Sequence, residues 1–260
     1  MSIIKILAIG DIVGEAGLKF LSDTLGFVKK KYSADYIIAN GENCAKYNGM
    51  ECADADAMYN AGVDMITSGN HIWHKRDIYR YLDDKNAILR PANYPGDCPG
   101  HGWAIENACG MRILTMNLMG VVFLESLASP FETADAILKS AQGGYDLSIL
   151  DFHAEATSEK IALARYLDGR VDVIFGTHTH VQTNDACILP GKTGYITDIG
   201  MTGVKDSVLG VDSKCSITRF LTKMPVRFDQ AEGKCRISGA LFSYDTALKQ
   251  VVSVLAINEE

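Results

Sequence analysis

The sequence lacks any uncharged apolar run approaching the roughly 20 residues that a membrane-spanning helix needs. The apolar stretch Ile3–Ile9 is interrupted by Lys5 and ends at Gly10-Asp11, which predicts a first β-strand and not a signal peptide. The cysteines number seven, and no C-x-x-C spacing occurs, which indicates neither a disulfide framework nor a cysteine-rich zinc site. These absences predict a cytoplasmic protein with reduced thiols and no membrane partner.

Basic residues are also in short supply. The chain has 25 Lys and Arg against 32 Asp and Glu, which gives a net charge of −7. Long nucleic acids are held by many phosphate contacts from Lys and Arg, so this acidic chain is not expected to bind one. The densest basic run, Lys29-Lys30-Lys31, is predicted to end a helix, where cations suit the helix dipole. An anionic substrate should therefore be small and be attracted locally.

Strands and helices alternate through the first two thirds of the chain, and paired strands predominate afterwards. The tail is predicted to be β-rich from Ser216, with strands Arg236–Tyr244 and Gln250–Ile257 facing each other. An eight-stranded α/β barrel would need the alternation throughout. The favoured fold is therefore an α/β sandwich in which two sheets meet and helices cover the outsides. Neither an internal repeat nor a domain boundary is visible, which predicts one domain over residues 1–260.

Side chains that can bind metal ions follow five of the predicted strands. They are Asp11 after Ile3–Ile9, Glu42 and Asn43 after Asp35–Ala39, Asn70 and His71 after Asp64–Thr67, His153 after Leu147–Leu150, and His178 and His180 after Val171–Phe175. Open α/β sheets bind ligands at the carboxyl ends of their strands. Side chains two apart on an extended chain point the same way, so His178 and His180 can face one point. Each residue alone also has a structural interpretation, such as a helix N-terminal acid for Asp11, or two hydrogen-bonded histidines beside a loop.

The chemistry of these side chains predicts a metal site. Carboxylate, imidazole and amide groups bind Mn, Fe or Zn, and no thiolate is among them. The set is too large for one ion and suits two ions, about 3.5–4 Å apart, that share a carboxylate. Dinucleotide binding is not supported, because Gly10, Gly14 and Gly17 do not fit the pattern G-x-G-x-x-G.

The order of these motifs resembles the calcineurin-like metallophosphoesterases and, more narrowly, the YmdB-type phosphodiesterases. The stretches that carry the resemblance are Gly10–Gly14, Gly41–Asn43, Gly69–Trp73, Phe152–Lys160, Gly176–Thr183 and Thr197–Gly203. The resemblance implies a four-layer α-β-β-α sandwich of two mixed sheets. It also implies two divalent or mixed-valence metal ions, with Fe or Mn favoured over Zn or Mg.

The resemblance further implies a role for each site residue. One ion would be held by Asp11, Asn43 and His180, and the other by Asn70, His153 and His178, with Glu42 as the bridge and His71 as the catalytic imidazole. The implied reaction is hydrolysis of small phosphodiesters, 2′,3′- or 3′,5′-cyclic nucleotides among them. A hydroxide that bridges the ions would attack phosphorus, and His71 would act as the general acid.

The chain departs from the wider superfamily at two positions. Val13 stands where the superfamily has a histidine, and Glu42 where the bridge is usually an aspartate. The YmdB-type proteins share both changes. Compared with the wider superfamily, the metal site beside Asn43 lacks one imidazole, and Asn43 offers only a weaker, neutral oxygen. The ion in this site is therefore expected to be lost more readily. After Asn43, the YmdB-type proteins usually have a segment of small, Gly-rich sequence. In this chain Lys46 and Tyr47 are bulkier and are expected to shape the mouth of the pocket.

Two alternatives remain open. The chain could be a regulatory or scaffold protein that retains a metal site and acts through partners. It could also use the metals to hydrolyse another bond such as an amide, although the pair Asn70-His71 speaks against this. Metal identity, nucleotide preference and assembly into a homo-oligomer are not fixed by the sequence.

Overall fold

The computed structural model describes residues 3–84 and 87–260. It is a four-layer α-β-β-α sandwich of two mixed sheets, which confirms the predicted fold class. The strands are β1 (Ile3–Ile9), β2 (Asp11–Ile12), β3 (Tyr36–Asn40), β4 (Met65–Thr67), β5 (Trp103–Ala108), β6 (Met111–Met119), β7 (Leu147–His153), β8 (Val173–Thr177), β9 (Cys187–Ile188), β10 (Gly194–Ile196), β11 (Met201–Val204), β12 (Cys235–Asp245) and β13 (Gln250–Glu259). The helices are α1 (Gly14–Tyr32), α2 (Cys52–Ala61), α3 (Ile78–Asp84), α4 (Pro130–Ser140), α5 (Thr157–Leu167) and α6 (Ser213–Thr222), with a 3-10 turn at Ile72–His74. Within the two described ranges, no helix is both long and apolar enough to cross a membrane.

The first sheet has the order β4-β3-β1-β12-β13. Strands β1, β3 and β4 run parallel, whereas β12 is antiparallel to both β1 and β13. Strand β11 pairs with the first residues of β12, and the short β2 lies parallel to β11. The parallel strands β1, β3 and β4 of this sheet therefore end at the same edge.

The second sheet has the order β5-β6-β7-β8-β10-β9. Strands β6, β7, β8 and β10 are parallel, and β5 and β9 are antiparallel to their neighbours. The turn at Pro190-Gly191-Lys192 joins β9 and β10 into a hairpin. This sheet also presents its parallel strand ends, those of β7 and β8 among them, at one edge.

Apolar residues fill three separate layers, and the alternation of side chains along each strand decides which layer they join. In β1, Leu7 and Ile9 pack against α1, α2 and α3, whereas Ile6 and Ala8 face the second sheet. In β7, Ile149 faces the first sheet, while Leu150 and Phe152 pack against α4 and α5. Both faces of these central strands are buried, so their sequences read as nearly continuous apolar runs.

The prediction of a β-rich tail from Ser216 is wrong for its first part. Helix α6 occupies Ser213–Thr222, and the Asp212 side chain caps it by accepting from the backbone N–H groups of Lys214 and Cys215. Its apolar residues Ile217, Phe220 and Leu221 recur at helical spacing but are exposed. This spacing and the N-cap Asp212 are local signals of a helix that the prediction of a β-rich tail did not take into account. The strands β12 and β13 that follow are confirmed.

Candidate metal centre

Strand ends and the loops after them bring the predicted ligands together. Asp11 lies in β2, Glu42 and Asn43 follow β3, Asn70 and His71 follow β4, His153 ends β7, and His178 and His180 follow β8. The parallel strands of each sheet end at the same edge, and the two sheets face each other. The side chains therefore converge from both sheets, as the rule for ligand sites in α/β folds leads one to expect.

The first cluster surrounds the Nε2 atom of the buried His153. This nitrogen lies 3.0 Å from Asn70 Oδ1, 3.0 Å from His178 Nδ1 and 3.1 Å from Glu42 Oε1. Gly69 allows the approach, because a Cβ atom there would lie 2.2 Å from the imidazole Cδ2 of His153. Four potential ligands thus meet at one point.

A hydrogen-bond relay fixes which nitrogen of His153 faces this point. Thr177 Oγ1 donates to Asp151 Oδ1 at 2.7 Å, so it must accept from His153 Nδ1 at 2.9 Å. In the neutral ring, Nε2 then carries a lone pair and faces oxygens that are also acceptors. Burial lowers the pKa of His153, but the carboxylates of Glu42 and Asp11 outweigh it and raise that pKa to about 9. The cluster therefore calls for positive charge at Nε2, either a proton or a metal ion.

The second cluster is centred on Asp11. Its Oδ2 accepts from the backbone N–H of His178 at 3.0 Å, whereas its buried Oδ1 has no hydrogen-bond partner among residues 3–84 and 87–260. The Nε2 atom of His180 lies 3.8 Å from that oxygen, and its Nδ1 donates to the carbonyl of Leu209 at 3.2 Å. An orphaned carboxylate oxygen and an imidazole nitrogen facing it fit a second cation. Asp11 does not cap α1, whose N-cap is Val13 without a side-chain hydrogen bond.

Glu42 lies between the two clusters. Its Oε1 is 3.1 Å from His153 Nε2 and accepts from the Asn43 amide at 3.1 Å, while its Oε2 accepts from the backbone N–H of His71 at 2.9 Å. Burial raises the pKa of Glu42, but His153 and His71 outweigh it and hold that pKa well below its ordinary value. An ionised carboxylate between the two clusters is suited to bridge two cations.

Asn43 and His71 form a pair at the edge of the clusters. The Nδ1 atom of His71 donates to Asn43 Oδ1 at 2.7 Å, and the amide nitrogen of Asn43 lies 3.3 Å from His180 Nε2. Binding of an ion through the oxygen of Asn43 would require a half turn of its amide. The side chain of His71 is 25% exposed, which leaves it open to the pocket, unlike the buried His153.

The two histidines after β8 do not face one point, as the alternation of an extended chain had predicted. Extended backbone ends at Thr177, and His178 (φ 100°) and His180 (φ 62°) both adopt left-handed conformations. Such conformations are uncommon for non-glycine residues and need support from their surroundings. They turn His178 towards His153 and His180 towards Asp11, so the pair is shared between the clusters.

A buried ion pair that the sequence analysis did not single out supports this turn. Lys160 of α5 donates through Nζ to the Thr177 carbonyl and to Asp198 Oδ2, both at 2.7 Å. Asp198 also accepts from the backbone N–H and hydroxyl of Thr179 and from the backbone N–H of Gly200. Both charged residues lie in stretches that carry the family resemblance, and this was the only signal in the sequence that they matter. Their pairing could not be predicted, because 38 positions of sequence separate them.

Substitution Lys160→Met is expected to lower the free energy of unfolding by about 3–5 kcal/mol, because it leaves a buried carboxylate without its cation. It should also lower the metal content, since Thr179 stands between two proposed ligands. Urea unfolding and elemental analysis measure these effects. The control Lys19→Met breaks the exposed pair Lys19–Asp23 and should cost at most about 1 kcal/mol. Equal losses in the two variants would contradict a supporting role for Lys160.

A pocket of about 460 Å³ opens over the clusters. Its lining includes Glu42, Asn43, His71, His178 and His180. Pockets of this size hold small ligands. Of the two bulky residues after Asn43, Tyr47 lines the pocket, whereas Lys46 is not among its lining residues.

Comparison with known proteins gives consistent results. A family model described as "YmdB-like protein" matches residues 7–257. The 2′,3′-cyclic-nucleotide 2′-phosphodiesterase of Bacillus subtilis (strain 168) is 43% identical over 98% of both chains. A crystal structure of a hypothetical protein from Thermus thermophilus matches with 37% identity and a TM-score of 0.91 over 99% of this chain and 100% of that one. A structure described as a novel phosphatase from Mycoplasma pneumoniae matches with 33% identity and a TM-score of 0.93 over 99% and 94% of the two chains.

Proposed function

Because the chain belongs to the YmdB-like family, a branch of the calcineurin-like metallophosphoesterases, we propose that it is a two-metal phosphodiesterase that hydrolyses 2′,3′-cyclic nucleotides. Membership supports the coarser statement directly: the chain is an enzyme of the phosphodiesterase and phosphatase class. The choice of 2′,3′-cyclic nucleotides over the 3′,5′ isomers rests on the name of the Bacillus relative. The observation that carries the proposal is the meeting of Glu42, Asn70 and His178 at Nε2 of His153.

The proposed ligand sets follow the two clusters. Asp11, Asn43 and His180 would hold one ion, Asn70, His153 and His178 the other, and Glu42 would bridge them. Two divalent ions, Fe or Mn by preference, would supply positive charge for the phosphate oxygens and an acidified water as the nucleophile. These charges would also explain how a chain of net charge −7 attracts an anion to one point.

His71 is proposed to handle the proton of the reaction. Hydrolysis of a 2′,3′-cyclic nucleotide to a 3′-nucleotide adds water, breaks the bond between phosphorus and O2′, and leaves O2′ in need of a proton. The imidazole of His71 is open to the pocket, and the residue is held there by its backbone N–H, which donates to Glu42. It would donate that proton, a contribution commonly worth about 10²–10⁴-fold in rate.

The direct test is turnover by purified protein. We expect Mn²⁺-dependent conversion of 2′,3′-cyclic AMP to 3′-AMP, with slower or no conversion of 3′,5′-cyclic AMP, and two ions per chain by elemental analysis. Absence of metal-dependent turnover on either nucleotide and on a chromogenic phosphodiester would refute the proposal. A steady content of one ion per chain would refute its two-metal form.

Removal of metal is expected to occur in two steps. Each proposed ligand set contains one asparagine, but the set of Asp11, Asn43 and His180 has one imidazole against two in the other set, because Val13 supplies none. The ion held by this first set should therefore leave first. Stepwise dialysis against a chelator, followed by elemental analysis and assay, should show activity falling with the first ion. Re-addition of Mn²⁺ should restore it, which controls for unfolding. Loss of both ions in a single step would contradict this asymmetry.

A further inference from the structure

The pocket over the clusters is lined by apolar as well as polar side chains. The apolar ones are Val13, Tyr47, Leu209, Val211 and Phe228. Among them, the aromatic residues Tyr47 and Phe228 are each 47% exposed. A ligand that carries both a phosphate and an apolar group matches this mixed lining.

Cationic side chains from two segments hold the ring of Tyr47 in place. Arg227 donates from Nη2 to the Tyr47 hydroxyl at 2.6 Å, and its guanidinium lies 5.2 Å from the ring centroid. The Lys46 ammonium lies 5.5 Å from the same centroid. Tyr47 and Asn48 adopt left-handed conformations, with φ of 60° and 66°, which turn the loop back on itself. The position of the ring is therefore built into the protein.

Hydrogen bonds hold the segment that carries Phe228 against other segments that line the pocket. The backbone N–H of Asp212 donates to the Asp229 carbonyl, and that of Ala231 donates to the Gly210 carbonyl, both at 2.9 Å. The Gln230 amide reaches across to the Ala45 carbonyl at 3.3 Å. These bonds tie the segment of Phe228 to the loop of Tyr47.

We propose that Tyr47 and Phe228 form a subsite for the nucleobase of the substrate. This inference rests on the proposed function and deepens it, because it names the substrate class as phosphodiesters that carry a planar aromatic base. Aromatic side chains stack on bases of any sequence, and the exposed rings of Tyr47 and Phe228 line the same pocket as the proposed ligands.

The test compares two cyclic phosphates that differ by a base: 2′,3′-cyclic AMP and glycerol 1,2-cyclic phosphate. The measured quantity is the ratio of kcat/KM for the nucleotide to kcat/KM for the glycerol ester. In Tyr47→Ala and Phe228→Ala this ratio should fall about tenfold through a rise in KM for the nucleotide, because each stack with a base contributes on that order. Tyr47→Phe, which keeps the ring and loses only the bond to Arg227, should retain the ratio within about threefold.

The matched control is Phe220→Ala, which removes an exposed phenyl ring of α6 that does not line the pocket. It should leave the ratio unchanged, and thermal unfolding should show all variants folded. An unchanged ratio in Tyr47→Ala and Phe228→Ala would overturn the subsite while turnover by the parent protein upholds the proposed function. A parent protein that turns over neither ester would refute both.

Discussion

Substitution Glu42→Gln is expected to lower kcat/KM for 2′,3′-cyclic AMP by about 10³-fold, because metal charge at phosphate is worth several kcal/mol and each 1.4 kcal/mol is tenfold. The change keeps the shape of the side chain and removes its charge. Glu42 contacts His153 in the first cluster and Asn43 beside the second, and His153 and His71 keep it ionised. The variant should therefore bind fewer than two ions per chain, as measured by elemental analysis beside the assay.

The same substitution at Glu155 is the control for Glu42→Gln. Glu155 lies 3.2 Å from His178 Nε2 through Oε2, and its side chain is half exposed. It is outside the proposed ligand sets, so Glu155→Gln should retain both ions and lose no more than about 10–100-fold, the usual effect of a residue that orients a ligand. If Glu42→Gln kept two ions and most of its activity, Glu42 would not be the bridge.

Substitution His71→Ala is expected to lower kcat for 2′,3′-cyclic AMP by about 10²–10⁴-fold while both ions remain bound. The leaving O2′ of a nucleoside needs a proton. A p-nitrophenolate leaving group does not, so the loss on a p-nitrophenyl phosphodiester should be much smaller. Steady-state kinetics on the two substrates, with metal content measured on the same preparations, separate proton donation from metal binding.

His74→Ala is the matched control for His71→Ala. The ring of His74 lies 4.6 Å from that of His71 between centroids, but it is exposed and outside both clusters. Its removal should change kcat by less than about threefold, because His74 is neither a proposed ligand nor part of the pocket lining. An equal loss on both substrates in His71→Ala would show that His71 does not act as the acid, and loss of an ion would make it a ligand.

The strand ends were predictable because two local patterns coincide there. Apolar runs such as Val171–Phe175 indicate buried strands, and polar residues directly after them indicate the edge where ligands bind. The structure brings these side chains together, but no distance between Asp11 and His180, or between Asn70 and His153, could be read from the sequence. The assignment of each residue to one ion remains a prediction.

Other features depend on contacts between distant segments and had no local pattern. The pairing of Lys160 with Asp198 joins α5 to the loop before β11, and a lysine in a helix is ordinarily read as solvated. The relay from His153 through Thr177 to Asp151 likewise needs two strands side by side. Helix α6 is different, because its N-cap Asp212 and the spacing of its apolar residues are local signals of a helix, and only the exposure of its apolar face could not be read from the sequence.

The relay through Thr177 and the pairing of Lys160 with Asp198 make the positions of the predicted ligands depend on the fold itself. Both are contacts of the polypeptide with itself, one behind His153 and the other behind the segment that carries His178 and His180. A substitution at Lys160 would therefore displace predicted ligands to which it makes no hydrogen bond.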